Sequence, residues 1–163
     1  MRSKAAIGNH PIHPMIVPLP IGAFFLALVG DILHLSGRDP FWYRFASFCI
    51  VVGIVTALLA AVFGAIEYFG VEMSPAGRRV ATWHAILNVT VVVLYAVSWW
   101  MRRNDAALGN DRFSLAMGLA VVAFLMLGVS GWLGGNLSYH HKIGVVEKLD
   151  QKATEIGMRE SAG

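Results

Sequence analysis

The sequence predicts an all-α integral membrane protein, an antiparallel bundle of four transmembrane helices followed by a short amphipathic C-terminal tail. Composition is the first observation: 56% of the 163 residues are hydrophobic and only 14% are charged, whereas a soluble domain has roughly 25% charged residues. The second is four apolar runs, each with the roughly 20 residues that cross a hydrocarbon core of about 30 Å. The third is the shortness of the connections between these runs, which favours an up-and-down bundle.

The apolar runs and the turns between them define the expected helices. Every connection contains glycine, proline, asparagine or aspartate, which are typical turn residues. Pro18 and Pro20 are tolerated in the first turn of a helix, where N–H groups have no intrahelical partner, so the first regular helix is expected to begin near Leu19 or Pro20. The four runs cover residues 15–35, 41–69, 80–101 and 113–139.

The chain is expected to form three parts. These are an N-terminal His-Pro lead over residues 1–14, a four-helix transmembrane domain over 15–141 and a tail over 142–163. Apolar and charged residues mix in the tail as in a helix lying on a membrane surface. Histidine and proline interrupt the lead where a signal peptide needs its apolar core, so no cleavage is expected. No internal repeat is evident.

Four antiparallel helices place both termini at one end of the bundle, here named face A; face B is the opposite end. Face A carries eight arginine and lysine residues and face B five, which predicts a cytoplasmic face A under the positive-inside rule. These residues are scattered over several polar segments, so the lipid bilayer is the expected partner and nucleic acid is not. The single cysteine excludes an internal disulfide.

Five of the six histidines fall at face A. They are His10 and His13 ahead of the first helix, His84 at the start of the third, and His140 and His141 at the end of the fourth. Neutral imidazole is the commonest biological metal ligand, and histidines from different helices of a bundle can converge on one haem or metal ion. The cluster therefore predicts a membrane-embedded redox protein that binds haem b or a metal ion and transfers electrons.

A haem b site needs one or two axial nitrogens, an apolar slot for the macrocycle and cations for the propionates. Aromatic and small residues of the second, third and fourth helices are candidates for the slot. The candidate axial ligands are His84 with His13 or His140, and the candidate propionate partners are Arg78 and Arg79.

A transition-metal ion would need three or four nitrogen or oxygen ligands at about 2.0–2.2 Å. The candidates for this second kind of site are His10, His13, Glu67, His84 and His140. The sequence does not distinguish zinc, copper and iron. The alternative function is a structural or interaction subunit whose histidines only cap and hydrogen-bond helix ends.

Local geometry adds predictions for individual histidines. A residue before proline favours extended backbone, so His10 and His13 are expected on an extended segment that folds over face A. This segment should bring His13 within about 8 Å of His84 and His140, close enough for one shared site. Neighbours on a helix diverge by about 100°, so His140 is expected to point into the bundle and His141 to solvent.

An acidic residue inside a transmembrane helix is a candidate functional site. Asp31 is such a residue, and His34 lies one helical turn after it, near face B. A local pair of Asp31 with His34 or Arg44 and a role in a proton path both remain open from the sequence.

The motifs of this chain resemble the bacterial membrane protein family catalogued as domain of unknown function 2231, over residues 8–145. The segments that carry the resemblance are His10-Pro11-Ile12-His13-Pro14, Val17-Pro18-Leu19-Pro20-Ile21-Gly22, Gly64-Ala65-Ile66-Glu67-Tyr68, Trp83-His84 with Asn88, and Gly134-Gly135-Asn136-Leu137-Ser138-Tyr139-His140. The resemblance implies a multi-pass protein of the bacterial inner membrane. Relatives fused to iron–sulfur domains imply a redox partner protein.

Other functional classes lack their signatures. The chain has no glycine-rich phosphate loop, no nucleophile elbow and no thiol pair. The sequence does not identify catalytic residues and leaves open whether the protein is an enzyme. Transport normally requires more spans than four helices provide, unless the protein forms a homo-oligomer.

Overall fold

The computed structural model describes residues 5–7, 10–103 and 111–141 of the chain. A two-residue antiparallel ladder, in which Ala6 pairs with Pro11 and Ile7 with His10, precedes the helices. The elements in chain order are β1 Ala6–Ile7, β2 His10–Pro11, α1 Ile12–Ile16, α2 Pro18–Gly37, α3 Pro40–Gly70, α4 Pro75–Arg103 and α5 Asp111–Tyr139. The predicted tail, residues 142–163, lies outside the described residues.

Four helices are long and apolar enough to cross a membrane, which confirms the predicted all-α fold. Helix α3 starts where the Asp39 side chain accepts a hydrogen bond from the Phe41 N–H at 2.8 Å, an N-cap followed by proline at the first helical position. Helix α4 starts five residues earlier than its apolar run, because the Ser74 hydroxyl accepts from the Gly77 N–H at 3.2 Å. Capping chemistry therefore extends helices beyond their apolar runs.

The His-Pro lead folds against the bundle, but His13 lies in the short helix α1 and not on extended backbone. The prediction of an extended His13 was wrong. Pro11 is the N-cap of α1, so Pro14 falls in its first turn, where its missing N–H has no intrahelical acceptor to lose. The position of His13 in the first turn of α1 therefore outweighs the usual preference of a residue before proline for extended backbone.

The bundle consists of two helical hairpins that meet along a seam. The most extensive helix contacts are between α2 and α3 and between α4 and α5, while α3 and α4 touch over a smaller area. The buried apolar core lies where the hairpins meet and includes Phe24, Ile50, Val91 and Tyr95. Helices α2 and α4 run in the same direction through this core.

Three pairs of side chains face each other across the seam, and the members of each pair stand 71 positions apart. The pairs are His13 with His84 at face A, Phe24 with Tyr95 in the middle, and Asp31 with Arg102 towards face B. Because the spacing is equal at three levels, the two hairpins present equivalent positions to the seam, and this correspondence is here called the repeat. The sequence itself shows no repeat, because the paired positions carry different residue types in two of the three pairs.

An even number of spans predicts that reporters fused before residue 1 and after His141 will read the same side of the membrane. A reporter inserted between Gly37 and Asp39, in the connection of α2 and α3, should read the opposite side. Alkaline phosphatase and green fluorescent protein fusions measure this directly. Opposite readings for the two terminal fusions would contradict the four-span topology.

Candidate functional site

His13 is fixed against α3 by one hydrogen bond and one close packing contact. Its Nδ1 lies 2.8 Å from the carbonyl oxygen of Ala60. A Cβ added at Gly64, one turn further along α3, would stand 3.1 Å from Cε1 of the imidazole. The glycine therefore leaves the space in which the ring lies on the helix.

His84 repeats this arrangement in the second hairpin. Its Nδ1 lies 2.9 Å from the carbonyl oxygen of Ser130 and 3.0 Å from the Ser130 hydroxyl. A Cβ added at Gly134 would stand 3.1 Å from Cε1 of this imidazole. Ser130 follows Ala60 by 70 positions, and Gly134 follows Gly64 by the same number. Both halves of the repeat therefore contribute one imidazole that contacts a backbone carbonyl oxygen and a glycine of the neighbouring helix.

The two imidazoles meet in a T-shaped contact across the seam near face A. Their ring centroids are 6.4 Å apart and their planes are nearly perpendicular, at 88°. This matches the predicted proximity of His13 and His84. Both rings are half-buried, so the pair lies inside the bundle end and not on its outer surface.

The hydrogen bonds assign the tautomer of each ring. A backbone carbonyl only accepts hydrogen bonds, so Nδ1 carries the proton in the neutral form and Nε2 carries the lone pair. The lone pair of His84 accepts a hydrogen bond from Nδ2 of Asn88 at 3.1 Å, and the same Nδ2 donates to the His84 carbonyl oxygen at 2.8 Å. Within the part of the chain that the structure describes, Nε2 of His13 makes no hydrogen bond.

Two predictions about the end of the fourth span were wrong. His140 is exposed, and His141 is half-buried with its ring beside Gly77 at the start of α4. Helix α5 ends at Tyr139, and the N–H groups of both histidines point to the Asn136 carbonyl oxygen, at 2.9 Å and 3.3 Å. The helical spacing that assigned His140 inward therefore does not continue through these two residues.

The residues proposed for a bare metal ion do not assemble. Among the described residues, which include all five candidates, no group of three or more histidine, cysteine, aspartate or glutamate side chains could hold a metal ion. His10 is exposed on β2, and Glu67 is buried near the face-A end of α3. The structure brings together two of the candidate ligands, His13 and His84.

The two candidate propionate partners differ in their surroundings. Arg78 donates from Nη1 to the Tyr68 carbonyl oxygen at 3.2 Å, and its guanidinium carbon lies 5.0 Å from the centre of the Tyr68 ring. Arg79 is exposed. Arg78 is therefore already engaged with α3, whereas Arg79 extends from the surface.

A family model described as predicted membrane protein, domain of unknown function 2231, matches residues 9–147. The chain belongs to this family. The match covers the lead from residue 9 onward, both hairpins and both imidazoles of the seam. Comparison with curated proteins and with solved structures found no match.

A buried ion pair that was not predicted connects the hairpins towards face B in this family member. Arg102 donates to both carboxylate oxygens of Asp31, one of the bonds measuring 2.7 Å, and the two residues are 3% and 0% exposed. Arg102 also donates from Nε to the Ser98 hydroxyl at 3.3 Å, and that hydroxyl donates to the Ala116 carbonyl oxygen on α5 at 2.7 Å. The predicted partners of Asp31, His34 and Arg44, were wrong.

His34 has a separate role at the end of α2. Its Nδ1 lies 2.9 Å from the Asp39 carbonyl oxygen, and its ring packs edge-on against Phe113, with centroids 5.1 Å apart.

A signal for the true partner of Asp31 was present in the sequence. Arg102 ends the third apolar run at the same face, and a buried carboxylate in a membrane helix requires a cation at its own depth.

Proposed function

We propose that this protein is a membrane-embedded haem b protein that transfers electrons, with His13 and His84 as the axial ligands. One observation carries the proposal: two imidazoles, one from each half of the bundle, lie together across the seam with ring centroids 6.4 Å apart. Two imidazoles whose nitrogens each lie about 2 Å from one iron have centroids roughly 6 Å apart. Bound haem would supply one-electron redox chemistry.

The hydrogen bonds of the two rings support the same proposal. A histidine that ligates a metal almost always donates its other ring N–H to a carbonyl or carboxylate group, which fixes the tautomer and the orientation of the ring. Both His13 and His84 have this arrangement, through Ala60 and Ser130. The lone pairs are then left on the nitrogens that would bind iron.

The number of converging ligands favours haem over a bare ion. A metal ion bound by protein alone needs three or four ligands, whereas haem iron takes one or two from the protein. The described residues provide two.

The alternative function, a structural or interaction subunit, has one observation in its favour. Each imidazole links two helical elements by bonding a backbone carbonyl, His13 joining α1 to α3 and His84 joining α4 to α5. Under this alternative the histidines stabilise the hairpins and bind nothing.

The two functions predict different results when the purified protein is titrated with haemin. We expect saturable binding of one haem per chain with a Soret band, and loss of at least about tenfold in affinity when His13→Ala and His84→Ala are combined, since both axial nitrogens are removed. His140→Ala is the matched control, because His140 is exposed and should leave the spectrum unchanged.

Three other results would contradict the proposal. A colourless protein with stoichiometric metal would favour an ion site. A colourless, metal-free protein whose double variant melts at lower temperature would favour the structural alternative. Haem binding that persists unchanged in the double variant would remove these two histidines as ligands.

A further inference from the structure

We infer that the two imidazoles are not equivalent: His13 is the permanent axial ligand, and His84 is an exchangeable one whose lone pair is held by Asn88. The inference rests on the proposed haem function and deepens it. It makes Asn88 a positioning residue and predicts that the iron accepts a small diatomic molecule on the His84 side.

The first step is the difference between the two Nε2 atoms. Nε2 of His84 accepts a hydrogen bond from Asn88 at 3.1 Å, and Asn88 is itself anchored by its bond to the His84 carbonyl oxygen at 2.8 Å. Nε2 of His13 makes no hydrogen bond to the described residues. To bind iron, His84 must give up a hydrogen bond that His13 does not have.

The repeat explains why only one side carries this bond. The position equivalent to Asn88 in the first hairpin, 71 residues earlier, is Val17. Valine has no side-chain donor, so it cannot occupy the lone pair of His13. The two halves therefore share the carbonyl and glycine contacts to the imidazole. They differ in the Ser130 hydroxyl beside Nδ1 of His84, and they differ at Nε2, where only the second half has a side chain, Asn88, that competes with the metal.

The second step is the size of the competition. A net hydrogen bond of this kind changes an equilibrium constant by roughly two- to tenfold. This effect is small beside the strength of an axial iron–nitrogen bond. It is comparable with the free-energy difference between the coordinated and released states of a mobile ligand. Release of His84 is thus favoured without abolishing its binding. When it is released, one coordination position of the iron becomes free for a neutral diatomic ligand.

Asn88→Val tests this directly, because it copies the residue of the first hairpin. Haem-loaded, reduced protein should show a larger six-coordinate fraction in resonance Raman spectra than the wild type. Its association rate with carbon monoxide, measured after flash photolysis, should fall at least about threefold, since His84 must leave before the gas binds. Asn88→Ala, which also removes the donor, should shift both quantities in the same direction.

Thr90→Val is the matched control on the same helix. The Thr90 hydroxyl donates to the Ile86 carbonyl oxygen at 2.9 Å in an exposed hydrogen bond that involves neither imidazole. A change of similar size removes a similar polar group there, so coordination and gas binding should match the wild type. A structural effect of losing any polar group from α4 would appear in this variant as well.

The single histidine variants separate this inference from the proposed function. His13→Ala should lose haem, whereas His84→Ala should retain five-coordinate haem and bind carbon monoxide faster than the wild type. Equal loss of haem in both variants, or identical carbon monoxide rates in wild type and Asn88→Val, would overturn the inference and leave the haem proposal standing. Failure of the wild-type protein to bind haem would overturn both.

Discussion

Replacing Asp31 with asparagine is expected to lower the free energy of unfolding by about 3–5 kcal/mol, the cost of leaving one member of a buried ion pair without its partner. Asp31 and Arg102 are almost completely buried, and each comes from a different hairpin. Asparagine keeps the shape of the carboxylate but removes its charge. The guanidinium is then left uncompensated inside the bundle, where water cannot solvate it.

Two further variants determine whether the charge is responsible. Asp31→Leu combined with Arg102→Met should recover most of the lost stability, since a buried pair replaced by hydrophobic groups of similar volume is often neutral. The backbone carbonyl of Arg102, which accepts from the Tyr43 hydroxyl at 2.8 Å, remains in this variant.

Arg103→Met, the control, should change stability by less than about 1 kcal/mol, because Arg103 is exposed. Denaturant titration in mixed micelles measures all three, and a double variant no more stable than Asp31→Asn would refute the explanation.

Much of the fold was predictable because lipid imposes strict conditions on the sequence. A helix that crosses the hydrocarbon core must be long, apolar and internally hydrogen-bonded, and all four runs meet these conditions visibly. The start of α4 was placed late, since its first turn is polar and is defined by the Ser74 cap and not by hydropathy. The short helix α1 was missed because a single turn carries no periodic signal.

The site was predicted only in part, for a similar reason. His13 and His84 could be placed together because both flank helix starts at the same face. His140 could not be excluded, because its orientation depends on where α5 ends, and that end is set by a backbone bend and not by side-chain pattern. Helix geometry predicts well how deep in the membrane a residue lies. The direction in which a side chain points at a helix end depends on the turn that follows.

The repeat escaped detection because packing conserves positions and not residue types. Phenylalanine opposite tyrosine and aspartate opposite arginine satisfy the seam as pairs, although neither pair shows similarity in the sequence. The two histidines are the exception. They are identical residues, and they lie at the layer where we propose that the ligand binds.

Gly53→Ala is the second substitution with a large expected effect, because Gly53 leaves room for Phe24 in the middle layer of the seam. A Cβ at this position would lie under 3.0 Å from three carbon atoms of the Phe24 ring. That ring cannot easily move away, since it is stacked on Tyr95 with centroids 3.8 Å apart and planes within 4°. Overpacking of this kind costs about 1–3 kcal/mol of folding free energy, occasionally more.

Gly118→Ala provides the matched control for Gly53→Ala. A Cβ at Gly118 would meet no atom within 4 Å, and replacing a helical glycine with alanine favours the helix by up to roughly 1 kcal/mol. The two variants make the same chemical change in membrane helices and should therefore shift stability in opposite directions. Thermal unfolding followed by near-ultraviolet circular dichroism would also report the loss of the Phe24–Tyr95 stack, which Gly118→Ala should leave intact. Equal melting temperatures for the two variants would show that the stack tolerates displacement and that the seam is looser than its contacts indicate.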